Sequence, residues 1–179
     1  MTVVPEWKIR PAQAADAPAA CAIMHEAHAW NLAHGFNFTA ATVTPADLLD
    51  RFATATYFVA EIDGRIVGTV SIEPDLPGQD PHIVHRDPPE PDPGDWALHN
   101  LAVAGSAGGA GLGRALVRHV EAAARQAGGR RMVLDTPENH PWLPGYYEKM
   151  GYRRIGHIQW LGKTYRSVLL GRPVVSRSR

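Results

Sequence analysis

Residues 101–114 read LAVAGSAGGAGLGR, and this stretch guides the interpretation of the whole chain. It joins a predicted strand at 96–103 to a predicted amphipathic helix at about 112–127, whose apolar residues recur at helical spacing. Glycines in such a turn let backbone N–H groups approach a ligand, and the start of a helix carries partial positive charge. The stretch therefore predicts an anion site suited to phosphate. A flexible loop that only caps the helix is the alternative, because glycine patterns alone are weak signals.

Two other phosphate motifs do not fit the sequence. A dinucleotide-binding fingerprint needs a third glycine three positions after the second, where this chain has Arg114 or Leu116. A P-loop that ends in Gly162-Lys163-Thr164 needs a glycine at position 157, which is His157. The glycine turn is thus neither of these motifs.

The remaining pattern predicts a mixed α/β fold in one domain over residues 1–179. Asp63-Gly64 is predicted to be a two-residue hairpin turn between two strands. The segment 74–95 contains seven prolines and is predicted to be a long, functional loop. The predicted strands lie at 7–10, 56–62, 65–72, 96–103, 131–135, 152–159 and 164–170, and the predicted helices at 19–33, from Thr44, at about 112–127 and near 142–150. The second helix opens with Thr44-Pro45-Ala46-Asp47, a cap-and-proline start close to a capping box.

Two blocks of sequence together resemble a known family. Leu101–Val103, five residues and then Gly109–Leu116 are similar to the acyl-CoA signature of the GNAT superfamily of N-acetyltransferases. A second block lies about thirty residues further on: the strand 132–135, then Asn139, then the run YYEKMGY at 146–152. The resemblance covers residues 96–155 and implies a GNAT-type acyl-CoA N-acyltransferase fold, a mixed central sheet flanked by helices.

The resemblance implies acetyl-CoA as co-substrate. The pyrophosphate would bind the backbone of the glycine turn, and the pantetheine amides would pair with the strand like an added strand. Gly108 departs from the family, which usually has Gln or Arg there, and His140 aligns with a family Asn, with Asn139 one place earlier. The implied cofactor-binding residues are Leu101, Ala102, Val103, Gly108, Gly109, Ala110, Gly111, Leu112, Gly113 and Arg114, with Asn139 and His140.

Acyl transfer to an amine needs a donor for the departing thiolate. Tyr147 matches the general-acid position of the family, and its phenol, with a reference pKa near 10, stays protonated at neutral pH. A half-buried packing role is the alternative for Tyr147, although the neighbouring Tyr146 is predicted to be the packing residue.

A base must take the proton of the amine. Alternation along the strand places Ala97, His99, Leu101 and Val103 on one face, and Ala97 stands near the position where many family members carry a Glu. His99 is the predicted base because its reference pKa near 6.5 suits proton acceptance at pH 7. Glu73, at the end of the preceding strand, is the competitor.

The first two helices line the acceptor side in this family. The residues this implies as acceptor contacts are Trp30, His34, Phe36 and Phe38, with ordinary core packing as the alternative for Trp30. His25 and His28 share a helix face, but a zinc-protease helix motif needs its second His at the position of Ala29. We therefore expect no metal site.

Composition excludes several other classes of protein. The 18 basic and 18 acidic residues among 179 cancel, which argues against a broad electrostatic surface for nucleic acid. The single cysteine cannot form an internal disulfide. No apolar run reaches the roughly 18 residues of a membrane span, and the N-terminus lacks a signal layout. We expect a cytoplasmic protein without a membrane partner.

The sequence thus predicts an N-acetyltransferase that transfers an acetyl group from acetyl-CoA to a primary amine of a small molecule, with a peptide acceptor less favoured. A non-catalytic acyl-CoA-binding domain, acting as a sensor or interaction module, is the alternative. The sequence leaves open whether the protein forms a homodimer.

Overall fold

The computed structural model describes residues 6–78 and 80–174, which form the mixed α/β fold that the sequence predicts. The helices are α1 (Ala17–Ala33), α2 (Pro45–Phe52), α3 (Leu112–Gln126) and α4 (Leu143–Glu148). The strands are β1 (Lys8–Pro11), β2 (Thr56–Ile62), β3 (Arg65–Pro74), β4 (Ile83–Asp87), β5 (Asp95–Val103), β6 (Arg131–Pro137), β7 (Arg153–Trp160) and β8 (Ser167–Pro173). No helix of the described residues is long and apolar enough to cross a membrane.

The chain divides into two compact units, and β5 and α3 each have residues in both. The first unit comprises residues up to Glu73 together with Leu98–Val120. The second comprises Pro74–Ala97 together with the chain from Glu121 onwards. A single domain over residues 1–179 therefore stays a prediction.

The first unit has the strand order β1–β2–β3–β5, with β1–β2 and β2–β3 antiparallel. Asp63 and Gly64 both have positive φ, 50° and 75°, as a two-residue hairpin turn requires, so the predicted hairpin is confirmed. Helix α2 begins with a capping box in which Thr44 Oγ1 accepts from the amide of Asp47, as its sequence predicts. The core includes Leu48, Val59, Val70, Leu112 and Leu116, all fully buried.

The second unit has the strand order β5–β6–β8–β7–β4. The β5–β6 pair is parallel, and the other pairs are antiparallel. Its core contains Val133, Ile158 and Leu169, against which Ile83 and Trp160 pack. The prediction of a continuous loop over 74–95 is wrong, because Ile83–Asp87 form the strand β4, which pairs with β7.

Candidate active site

The glycine turn opens helix α3 in the first unit. Gly109 and Gly111 have φ of 79° and 87°, a left-handed conformation that L side chains adopt at a cost. A Cβ added to either glycine would meet no atom within 4 Å, so the turn faces open space. The first amides of α3 lack partners within the helix, and the helix dipole adds positive charge there. The turn has the chemistry of an anion site.

The predicted cofactor residues of the first unit follow one another along the chain. Leu101, Ala102 and Val103 end β5, and the turn 108–111 leads into α3, where Leu112 is buried and Arg114 is exposed. The carboxylate of Glu26 on α1 accepts a hydrogen bond of 2.8 Å from the amide of Gly105, which fixes the start of the connection. The role of these residues in binding CoA stays a prediction.

His99 and Glu73, the two competing base candidates, lie side by side in the first unit. His99 Nε2 is 3.4 Å from Glu73 Oε1, and the side chains are 32% and 41% exposed. The hydrogen bond with His99 lowers the pKa of Glu73 below its ordinary value, against the opposing effect of partial burial. The carboxylate is therefore ionised at neutral pH beside the imidazole, and the two act as a pair rather than as independent candidates.

The alternation predicted for β5 is wrong at its centre. Asn100 has φ of 57°, the left-handed conformation that bulges use, and it interrupts the extended geometry on which alternation depends. His99 contacts Glu73, and Asn100 contacts Ser71, two positions earlier on β3 and hence on the same face. Two consecutive residues of β5 therefore place their side chains on one face.

Sequence reasoning missed the polar residues beside this pair. The amide Nδ2 of Asn100 donates to Tyr57 Oη at 2.9 Å and to Ser71 Oγ at 3.1 Å. The Ser71 hydroxyl donates to the carbonyl of His99 at 3.3 Å. The sequence signal for this irregularity was Asn100 itself, because Asn is one of the few residues that tolerate the left-handed conformation.

Three of the predicted acceptor contacts gather at the end of α1 in the same unit. The rings of Trp30 and His34 stack with centroids 3.8 Å apart, and Phe36 lies 6.4 Å from Trp30. Phe38 stacks on His28 at 5.0 Å. Trp30 is 37% exposed, which disagrees with the alternative that it is an ordinary core residue. The described residues contain no group of three or more His, Cys, Asp or Glu arranged to hold a metal ion.

Tyr147 lies in the second unit on α4 and is 8% exposed. Burial, followed by the nearby Tyr146 and Asp135, raises the pKa of Tyr147, so the phenol keeps its proton at neutral pH. Its ring meets those of Tyr146 and Tyr152 edge-on at 5.2 and 5.9 Å. The prediction that Tyr146 is the packing residue of the two is wrong, since Tyr147 is buried and Tyr146 is only half-buried.

His140 is buried and Asn139 is exposed, just before α4. The Nδ1 atom of His140 lies 3.3 and 3.2 Å from the amides of Trp142 and Leu143, which donate to it. Burial lowers the pKa of His140, and the neutral ring that results is the form that can accept these bonds. His140 thus orders the start of the helix that carries Tyr147.

Comparison with known proteins agrees with the resemblance read from the two sequence blocks. The profile of the Acetyltransferase (GNAT) family matches residues 24–152. The chain belongs to this family. The match includes the glycine turn, the His99–Glu73 pair and Tyr147.

Among curated proteins, this GNAT chain is 33% identical over 115 residues to "Probable N-acetyltransferase family 8 member 5" of Mus musculus. That alignment covers 61% of the chain and 46% of the relative, so the chain spans less than half of the length of that protein.

Solved structures share the GNAT fold at low sequence identity. Ribosomal-protein-alanine N-acetyltransferase from Brucella melitensis has a TM-score of 0.70 and 21% identity, covering 93% of this chain and 99% of that one. The yncA structure from Salmonella typhimurium, solved with its cofactor acetyl-CoA, has a TM-score of 0.69 and 17% identity, covering 97% and 96%. Both likenesses show the fold.

Proposed function

We propose that this protein is an N-acetyltransferase that moves the acetyl group of acetyl-CoA to a primary amine. The observation that carries the proposal is the His99–Glu73 pair, 3.4 Å apart, in a chain of the acetyltransferase (GNAT) family. An alkylammonium with a pKa near 10.4 is almost wholly protonated at pH 7, so a group must accept its proton before the nitrogen can attack. An imidazole held beside a carboxylate is suited to that task.

Acetyl-CoA would be held by residues that the sequence already indicates. The turn 108–114 offers main-chain donors and open space for a pyrophosphate, and the end of β5 at Leu101–Val103 offers main-chain groups for the pantetheine amides. Gly108 supplies no side chain to the phosphates, so binding there depends on the backbone. A solved structure of the same fold, from Salmonella typhimurium, contains acetyl-CoA, which supports the choice of donor.

The transfer forms a bond between the amine nitrogen and the acetyl carbon and breaks the bond between that carbon and sulfur. His99 takes the proton of the ammonium, with Glu73 stabilising the imidazolium that results. The thiolate leaves, and Tyr147 is the proposed donor to it. The nitrogen loses a second proton as the amide forms, and this proton balances the one that the CoA thiol gains. Because burial raises the pKa of Tyr147, its phenol serves the thiolate by hydrogen bonding more than by complete proton transfer.

For the acceptor, we propose a small molecule with a primary amine. The stacked rings of Trp30, His34 and Phe36 give an apolar surface at the end of α1 that suits the hydrocarbon part of such an amine. Ring faces also attract a cation, so the same group suits an ammonium before it loses its proton. A peptide acceptor is the alternative, and the two structural likenesses do not discriminate, since at 21% and 17% identity they concern the fold.

The test is a screen for thiol release from acetyl-CoA with small amines, polyamines, amino acids and peptides as acceptors. We expect release that depends on a small amine, and a loss of about 10²–10⁴-fold in the His99→Ala variant. Release that depends only on peptides would move the acceptor to the alternative class. Tight CoA binding without release for any acceptor would refute the enzyme and support an acyl-CoA-binding module.

A further inference from the structure

The left-handed residue inside β5 is held by its own side chain. Asn100 occupies φ of 57° within a strand, a left-handed conformation that few residues other than Gly, Asn and Asp adopt. Its side-chain amide donates one hydrogen bond to Tyr57 Oη and one to Ser71 Oγ, on the neighbouring strands. Tyr57 and Ser71 are register partners on β2 and β3 and are 5% and 1% exposed. The two groups that accept from Asn100 are therefore buried, and each is fixed by its own strand.

Ser71, one of these two acceptors, also contacts the main chain of His99. The Ser71 hydroxyl accepts from Asn100 and donates to the carbonyl of His99 at 3.3 Å. The path from Asn100 through Ser71 back to His99 fixes two consecutive residues of β5 against β3. It does so two positions along β3 from Glu73, the carboxylate that faces the imidazole. Arg51 of α2 is a further charged group, and its positive charge interacts electrostatically with both Glu73 and Tyr57.

We propose that Asn100 is a positioning residue for acetyl transfer, because its amide, through Ser71, holds the His99 imidazole at the Glu73 carboxylate. The proposal rests on the proposed function. A strand without the left-handed residue would place the side chains of His99 and Asn100 on opposite faces. The Asn100 conformation thus brings its amide to Ser71 on the same face of the sheet on which His99 meets Glu73.

The test compares Asn100→Gly with a matched control, Asp63→Gly. Glycine keeps the left-handed conformation and removes the amide, whereas Asp63 has a similar φ of 50° on an exposed hairpin turn. We expect kcat to fall by about 10–100-fold in Asn100→Gly with the KM for acetyl-CoA unchanged, because small misplacements of a catalytic group have effects of this size. The Asp63→Gly variant keeps wild-type kcat. An unchanged kcat in Asn100→Gly overturns the proposal.

A double-mutant cycle separates positioning from a structural role. If Asn100 acts through His99, adding Asn100→Gly to His99→Ala changes kcat by less than about 3-fold, because the group that it positions is already gone. The same 10–100-fold loss in both backgrounds overturns the proposal. Ser71→Ala removes the middle link without touching the backbone of β5, so it gives the same comparison if Asn100→Gly fails to fold.

A second readout does not depend on activity. The imidazole carbon resonances of His99, assigned with His99→Ala, are followed by NMR during a pH titration of wild type and Asn100→Gly. We expect the midpoint to move to lower pH by about 0.3–0.5 units in the variant, because the imidazolium loses part of its contact with the carboxylate. Identical titrations overturn the positioning role. A shifted titration in a protein that acetylates no amine keeps the positioning role and refutes the proposed function instead.

Discussion

Replacement of Glu73 by Gln removes a negative charge 3.4 Å from the imidazole of His99 while keeping the size of the side chain. If His99 is the base, only its neutral form is active, so kcat/KM falls on the acid side as His99 is protonated. The carboxylate stabilises the imidazolium, and its removal therefore makes protonation less favourable. The acid limb of the profile moves to lower pH in the variant but does not disappear.

The size of the shift follows from the geometry. Two unit charges 3.4 Å apart interact with about 1 kcal/mol at a dielectric constant close to that of water, the relevant limit because both side chains are about one-third exposed or more. Since 1.36 kcal/mol corresponds to one pH unit, the limb should move by about 0.5–1 unit. Added salt screens the charges and reduces the shift.

The assay is steady-state thiol release from acetyl-CoA between pH 5 and pH 9, with the best acceptor of the screen. Asp50→Asn, which removes an exposed carboxylate on α2 of the same unit, is the control and should leave the limb in place. A limb that vanishes in Glu73→Gln, with kcat/KM lower by about 10²–10⁴-fold, would show that Glu73 rather than His99 is the base. The matching variant His99→Ala then keeps its limb.

Three further changes have definite expected outcomes. Tyr147→Phe should keep the melting temperature and lower kcat by about 10–10³-fold, because the ring stays and the donor is lost; equal kcat in a stopped-flow comparison would remove Tyr147 from the reaction. Gly111→Ala should weaken CoA binding about tenfold or more in calorimetry, since a Cβ enters the space before α3, whereas Gly64→Ala, with a similar φ, should leave affinity unchanged. The hydrogen bond from Arg10 lowers the pKa of Asp16. The ionised Asp16 carboxylate therefore stabilises the fold above pH about 3.8, and this stabilisation is lost as the pH falls further. Asp16→Asn should lower the unfolding free energy at pH 7 and reduce this acid sensitivity in denaturant titrations.

Local features of the sequence predicted the parts of the fold that local chemistry decides. The Asp63-Gly64 turn and the Thr44 cap depend on residues within four positions of each other, and both have the predicted geometry. The two blocks that resemble the GNAT family were sufficient to predict the family and the fold correctly. The roles of the residues within those blocks stay predictions.

The strand β4 could not be predicted because its partner is distant in sequence. Ile83–Asp87 lie in a proline-rich segment with little apolar signal of their own, and they form a strand by pairing with β7, about seventy residues later. Gly156 on β7 leaves room for the main chain of Asp87, a contact that no local pattern reveals. Tertiary pairing, rather than propensity, decides this element.

The candidate site was predicted by residue type but not by geometry. Alternation is the default for a strand, so it placed His99 and Asn100 on opposite faces. The left-handed conformation of Asn100 depends on its hydrogen bonds to Tyr57 and Ser71, which come from strands far away in sequence. The same long-range contacts bring His99 and Glu73 together. The sequence offered the two residues as competing bases, so it did not predict that they form a pair.

The fate of an isotopically labelled acetyl group tests directly whether the protein transfers acetyl from CoA to an amine. Acetyl-CoA carrying a ¹³C-labelled acetyl group is incubated with the protein and the best amine of the screen, and the products are identified by mass spectrometry and NMR. We expect the label on the amine nitrogen of the acceptor, with free CoA formed in equal amount, and a transfer that is about 10²–10⁴-fold slower in His99→Ala. Label that remains on CoA, or that is released as acetate at the same rate with and without amine, would contradict this expectation.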